Sequence, residues 1–169
     1  QLYAQVAARG QAAEAAWNEK FNGSVRKESP VEFSEIERRF MGNHQLPEDF
    51  VSLLPVYEAS ESNQIATRKL SETLLNSLAP HLPELMGGSA DLTASNLTKW
   101  KGSEDFQAPS TGLGSYAGRY IRFGVREHAM FAMMNGMAAF GGFIPMGATF
   151  LNFITYGWGA LRLAALSHL

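Results

Sequence analysis

The sequence predicts an α/β fold: a parallel sheet flanked by helices, preceded by a helical and irregular segment. From Thr67 onward, short apolar runs ("ELMGGSADL", "RYIRFGV" and "IPMGAT") alternate with longer stretches of helical spacing. Strands that alternate with helices pack side by side in parallel, with helices covering their faces. Before Thr67, Pro30, Pro47 and Pro55 stand among mixed charges and leave room for little regular structure.

Each element has its own signal. Gln1 to Phe21 reads as a helix with Leu2, Val6 and Trp17 on a loosely apolar face, stopped by Asn22-Gly23. Ser24 to Ser62 reads as a linker holding one helical pattern, "VEFSEIERRFM", with Phe33, Ile36 and Phe40 on one side. Leu70, Leu74, Leu75 and Leu78 mark the next helix, which Pro80 ends. "ELMGGSADL" reads as a buried strand that turns tightly at Gly87-Gly88, and "SNLTKW" as the start of a short helix. Lys101 to Gly118, rich in Gly, Ser and Pro, is expected to be a functional loop, with a disordered insert as the alternative. "RYIRFGV" is the second strand, Glu127 to Phe140 a helix, "IPMGAT" the third strand and Phe150 to Leu166 the last helix. The first helix opens mid-pattern and the last stops at "SHL" with no strand after it, so the expectation is a piece of a larger protein.

Composition excludes several classes. The 169 residues are 46% apolar and 18% charged, as in a soluble globular protein. A net charge of −2 with scattered Lys and Arg gives no basic face for nucleic acid. Without cysteine there are no disulfides, thiolate metal sites or cysteine nucleophiles. No signal-peptide pattern opens the chain, so a cytoplasmic location is expected. The uncharged run from His128 to Leu161 exceeds the roughly 20 residues that span a bilayer. Asn135, Asn152, Thr149, Thr155 and the breakers in "GGFIPMG" argue against a membrane hairpin.

In open parallel sheets, ligands sit at the carboxyl ends of strands, which directs attention to the strand-to-helix junctions. Asp91, Thr93, Ser95 and Asn96 crowd the first, where capping accounts for one of them. Arg68 and Lys69 occupy the first turn of their helix. Cations there oppose the helix dipole unless an anion is bound nearby, and phosphate is the expected anion; the alternative is an ordinary exposed pair of basic residues. "GLGSYAG" lacks the dinucleotide spacing and any strand leading into it, so its glycines are assigned to loop flexibility. Phe150, Phe153 and Tyr156 recur every three residues after a strand, either as core or as a wall for a flat heterocycle. Met130, Met133 or Met134, and Met137 read as a core stripe.

Beyond Glu127 the chain carries no Asp, Glu or Lys and a single arginine, Arg162. A glutamate in a first helical turn is favoured by the dipole and so reads as a cap. Burial on this apolar border would instead disfavour its charge, which suits a carboxyl that shares a proton in catalysis, with Arg126 and His128 able to tune it.

Five separated segments, "TRKLSE", "GGSADLTASNLTKW", "GRYIRFGVREHAM", "MNGMAAFGG" and "GATFLNFITYGWGALRLAALS", together resemble the transketolases of sugar-phosphate metabolism. The resemblance implies a thiamine diphosphate-binding fold. Residues 1–28 would be the end of the diphosphate-binding domain, 29–66 the interdomain linker and 67–169 the first, incomplete part of the pyrimidine-binding domain. Glu127 matches the glutamate that hydrogen-bonds the cofactor's aminopyrimidine nitrogen and shares its proton. Phe150, Phe153 and Tyr156 match the aromatic pocket of that ring, Val125 a neighbouring apolar contact, and Asp91 an aspartate near the cofactor. Arg68 and Ser95 match residues that hold substrate phosphate. The Gly-Asp-Gly motif that binds the diphosphate with Mg2+ or another divalent cation is absent from the chain. His44, His81, His128 and His168 do not replace the family's substrate-handling histidines. The implied partners are sugar phosphates and the second subunit of a homodimer, with neither nucleic acid nor membrane. Alone, the segment is expected to be inactive and poorly folded or prone to self-association, because its apolar C-terminal third lacks partners. Dihydroxyacetone synthase, which moves the same two-carbon unit to formaldehyde, is the nearest alternative; a non-enzymatic membrane or scaffold segment is the alternative of a different class.

Overall fold

A computed structural model describes residues 1–40, 49–58 and 64–169. These form two compact units, one over residues 1–40 and one from residue 49 onward.

The first unit is helical. Helix α1 (Leu2–Glu19) runs into a π-helical turn, Lys20–Val25, then α2 (Arg26–Glu28) and α3 (Pro30–Phe40). The expected stop at Asn22-Gly23 does not occur, because Asn22 Nδ2 donates to the Asn18 carbonyl one turn back and stays within the coil (3.1 Å). The break comes at Ser29, at φ −136° and ψ 68°; a residue before proline is sterically pushed out of the helical region. Phe33 is buried against Phe21, with ring centroids 4.8 Å apart, while Ile36 and Phe40 of the same expected face are exposed. Met41, the last residue of the expected pattern, lies outside the described residues. In α3 the Glu35 carboxyl is held down at about 2, first by its hydrogen bond from Arg38 and further by Arg39, against an opposing effect of partial burial.

In the second unit a 3-10 turn, Phe50–Leu53, precedes α4 (Thr67–Leu78), β1 (Leu85–Ser89) and α5 (Thr93–Asn96). There follow β2 (Tyr120–Arg122), α6 (Glu127–Phe140), β3 (Ile144–Ala148), a 3-10 segment Leu151–Gly157 and α7 (Trp158–Ser167). The three strands form a parallel sheet in the order β2-β1-β3, flanked by helices as expected. On one face Leu75, Leu78, Ala79 and Leu82 pack with Trp100, Tyr120 and Met146; on the other, Met130, Phe131 and Met134 of α6 pack with Phe123 and Ala90. Burying both faces is what lets the strands carry continuous apolar runs. Arg119 donates to the carbonyls of Ala79, Leu82 and Leu85, tying the end of α4 to the start of β1 and satisfying acceptors that a helix end leaves open.

Three expectations need correction. Gly87 and Gly88 lie inside the central strand and make no turn. A Cβ on Gly87 would stand 1.8 Å from the Met146 carbonyl oxygen, and one on Gly88 2.0 Å from that of Ile121, so both neighbouring strands close in on a backbone without side chains. The chain turns later, at Asp91 (φ 62°). Second, "SNLTKW" ends a helix: α5 terminates at Asn96, and Leu97 takes the left-handed conformation (φ 56°). Third, the 101–118 loop is tied to the sheet by a bridge from Asp105 to Tyr120 and braced internally by one from Phe106 to Ser115. Its Gly114 and Gly118 would place a Cβ 2.0 and 2.3 Å from the Asp105 carbonyl oxygen, so close approach, and not flexibility, accounts for them.

The uncharged run folds as α6, β3, the 3-10 segment and α7, and among the described residues no helix is long and apolar enough to cross a membrane. In register, Ser89 pairs with Ala148. The carboxyl ends of β1 and β3 therefore lie side by side, and the segments that follow them become neighbours.

Candidate functional site

An open cleft of about 670 Å³ lies at these strand ends. Thr67, Arg68 and Ser71 line it from the start of α4, Ser95, Asn96 and Thr98 from α5 and its exit, and Thr149 and Phe150 from the end of β3. The two residues expected to hold phosphate, Arg68 and Ser95, thus share one cavity although they are far apart in sequence.

The charge in the cleft is one-sided. Among the described residues no acidic side chain lines it. Lys69 is paired with Glu72, while among the described residues Arg68 has no ion pair or hydrogen bond. The start of α4 has no side-chain cap. An uncapped helix start beside a free guanidinium has the positive charge and the open N–H donors that an anion would need. The other polar residues of the junction hold the fold: Thr93 Oγ1 meets the Tyr120 hydroxyl at 2.7 Å, and Asn96 Nδ2 donates to Ser89 Oγ at 3.0 Å. None caps α5, whose N-cap is Leu92. Asp91 is exposed, at the positive-φ turn after β1.

Glu127 begins α6 and is 8% exposed. Its carboxylate caps nothing in its own helix; Oε1 accepts a hydrogen bond from Thr149 Oγ1 (3.3 Å). Neither charged neighbour contacts it: among the described residues Glu127 pairs with no cation. The Arg126 guanidinium lies by Gly124 and the His128 ring by Gly159 of α7. The end of the 3-10 segment closes on the same helix start, since a Cβ on Gly157 would stand 3.3 Å from the Glu127 carbonyl oxygen and 2.0 Å from the Phe131 ring.

The expected last helix begins instead as the 3-10 segment, which explains the aromatic spacing. With three residues per turn, side chains at i and i+3 eclipse. Phe150, Phe153 and Tyr156 accordingly form one row, with successive centroids 5.8 and 5.9 Å apart. Phe153 is half-buried while Phe150 and Tyr156 are exposed, so the row offers ring surface and does not fill a core. Val125 is exposed in the connection between β2 and α6.

Two participants escape the sequence reading. Thr149 counted there only as a polar interruption of an apolar run, although a hydroxyl at the carboxyl end of a strand was the available signal. Asp105 gave none. It is 9% exposed and bonded by Lys99 Nζ (2.7 Å) and Arg122 Nε, which holds the 101–118 loop to β2. Burial, the largest influence, raises its pKa, but the hydrogen bonds and charges of Lys99 and Arg122 together outweigh it and leave the carboxyl below the ordinary range. A lowered folded pKa stabilises above the unfolded value and loses that contribution as pH falls through the folded one. The loop of an Asp105→Asn variant, in a full-length chain carrying this segment, should be less protected from hydrogen exchange than wild type above about pH 5, by on the order of 1 kcal/mol because both cations are partly exposed. The difference should shrink as the pH falls below about 4 and vanish once it has passed the lowered folded pKa; a gap that persists in stronger acid would show that charge is not what holds the loop.

Residues 63–169 match the family described as transketolase, pyrimidine binding domain. The chain is 56% identical over 152 residues to transketolase 1 of Saccharomyces cerevisiae, covering 89% of this chain and 22% of that protein. It is 52% identical over 166 residues to the transketolase of Scheffersomyces stipitis, covering 98% and 24%. Among solved structures, a Pichia stipitis transketolase in complex with sedoheptulose 7-phosphate superimposes with a TM-score of 0.84 at 52% identity, over 95% of this chain and 23% of that one. The transketolase of Leishmania mexicana does so with a TM-score of 0.81 at 46% identity, over 94% and 22%. The chain therefore spans about a quarter of the length of the relatives it matches.

Proposed function

The chain belongs to the transketolase family, and from that premise we propose that it is the pyrimidine-binding part of a longer enzyme that moves a two-carbon ketol unit from a ketose phosphate to an aldose phosphate. The observation that carries this is Thr149, which borders the cationic cleft and donates to Glu127. One residue joins an anion site to a shielded carboxyl beside a row of rings. In this reading residues 1–28 close the diphosphate-binding domain, 29–66 link the domains and 67–169 contribute the pyrimidine-binding half.

The residues present suit a flat heteroaromatic ring: Phe150, Phe153 and Tyr156 offer ring faces, and Glu127 a carboxyl shielded from water. Thiamine diphosphate, when bound, supplies the carbon nucleophile that carries the two-carbon unit. The aromatic row holds the pyrimidine ring and excludes water, with Val125 a neighbouring apolar contact and Asp91 an aspartate near the cofactor. Glu127 shares a proton with a ring nitrogen, and the Thr149 hydroxyl orients its carboxylate for that exchange. Arg68 holds the substrate phosphate by charge and Ser95 by its hydroxyl. Because the chain has no Gly-Asp-Gly motif, the divalent cation and the diphosphate are assigned to other parts of the enzyme. The exposed aromatic row is assigned to the interface with a second subunit of a cytoplasmic homodimer.

The test is ketol transfer by a full-length chain carrying this segment, stripped of cofactor and then titrated with thiamine diphosphate. Transfer between sugar phosphates should appear with the cofactor and saturate. Activity indifferent to it, or none when it is saturating, would overturn the assignment.

A further inference from the structure

We propose that two buried hydroxyls outside the cleft, those of Ser89 and Tyr120, are positioning residues that set the enzyme's preference for phosphorylated sugars. The inference rests on the reading of the Arg68 cleft as a phosphate site.

Its starting point is the weakness of α5. This helix is a single turn of four residues with no side-chain cap, and a lone turn has almost no stability of its own. Yet it carries Ser95, and Asn96 and Thr98 beside it also line the cleft. Something else fixes their place.

Ser89, 1% exposed at the end of β1, uses its whole hydrogen-bonding capacity for this. Its hydroxyl donates to the Ala148 carbonyl (3.2 Å) and accepts from the Leu92 N–H (3.2 Å) and Asn96 Nδ2 (3.0 Å). It thereby ties the start and the end of α5 to the end of β3, where the opposite wall of the cleft begins. Tyr120, fully buried in β2, holds the turn from beneath: its hydroxyl meets Thr93 Oγ1 at 2.7 Å and Thr98 Oγ1 at 2.9 Å. The two hydroxyls thus grip α5 from the sheet at residues on both sides of Ser95. Neither lines the cleft, so both act through the position of Ser95 relative to Arg68.

Tyr120→Phe removes one oxygen and keeps the packed ring, and Ser89→Ala removes the other hub. In a full-length, cofactor-loaded chain carrying this segment, each should raise KM for a ketose phosphate about tenfold, the equivalent of one charge-assisted hydrogen bond misplaced. Each should change KM for a non-phosphorylated ketose much less and leave kcat for the phosphorylated one nearly unchanged. Lower melting temperatures with equal KM changes for both donors would make the hydroxyls purely structural and overturn the proposal. Arg68→Ala, assayed beside them, separates the two ideas. If it discriminates between the donors while both hydroxyl variants do not, the positioning role alone falls; if it too fails to discriminate, the phosphate reading falls and the positioning role with it.

Discussion

Replacing Glu127 by alanine in a full-length chain carrying this segment should lower turnover by about 100-fold or more, the range that a positioned general acid–base supplies. The expectation follows from where the carboxylate is placed. Its helix has no side-chain cap bond, so at most about 2 kcal/mol of dipole interaction is lost with it in this shielded position, a matter of stability and not of rate. A 100-fold rate loss corresponds to about 2.7 kcal/mol in the barrier, more than that structural role can account for. The two roles therefore predict different measurements. If Glu127 is a cap, Glu127→Ala should shift the melting temperature and keep wild-type kcat at a temperature where the enzyme is folded. If it shares a proton with the cofactor ring, kcat should collapse at an almost unchanged melting temperature. Glu127→Gln can still accept from Thr149 but cannot exchange an acidic proton, so it should resemble alanine in kcat. Wild-type turnover in either variant would reduce Glu127 to a structural residue.

Why this residue was legible in the sequence, and Thr149 was not, has a physical answer. Glu127 stands on a border of composition, the last carboxylate before a long uncharged stretch, and such a border survives in one dimension. The parallel sheet was legible for the same reason, since β1, β2 and β3 each fill an apolar run between helical patterns. What could not be read is what depends on register. That Ser89 lies beside Ala148, and that α5 therefore meets the end of β3, is a fact about strand order, which periodicity does not encode. The errors share a cause. Gly87-Gly88 looked like a turn because glycine permits one, but a glycine needed for backbone approach from Met146 and Ile121 has the same local signature. Likewise, Phe150, Phe153 and Tyr156 fell inside the expected last helix, whereas a 3-10 backbone is what aligns their rings in one row. Asp105, whose Lys99 and Arg122 partners converge only in space, left no local pattern to find.

Arg68→Ala should raise KM for phosphorylated ketoses by roughly 10- to 100-fold, as expected for losing a hydrogen-bonded charge on an anion, and should do so far more than for non-phosphorylated ketoses. The selectivity of the effect matters more than its size. Arg68 and Lys69 are adjacent cations in the same helical turn, but only Lys69 is neutralised, by Glu72. If the turn served merely as a basic patch that attracts anions at long range, removing either residue would weaken binding similarly and the loss would fade with added salt. If Arg68 grips phosphate directly in the cleft, Lys69→Ala should be nearly silent while Arg68→Ala is severe, and Arg68→Lys should restore charge without the guanidinium fork and recover only part of the affinity. The lining supports the direct grip: Arg68 borders the cleft with Ser95, whereas Lys69 is absent from its walls. Steady-state kinetics with a phosphorylated and a non-phosphorylated donor at low and moderate salt decide between them. Equal losses with both donors would remove phosphate from the cleft and leave Arg68 a residue of the fold.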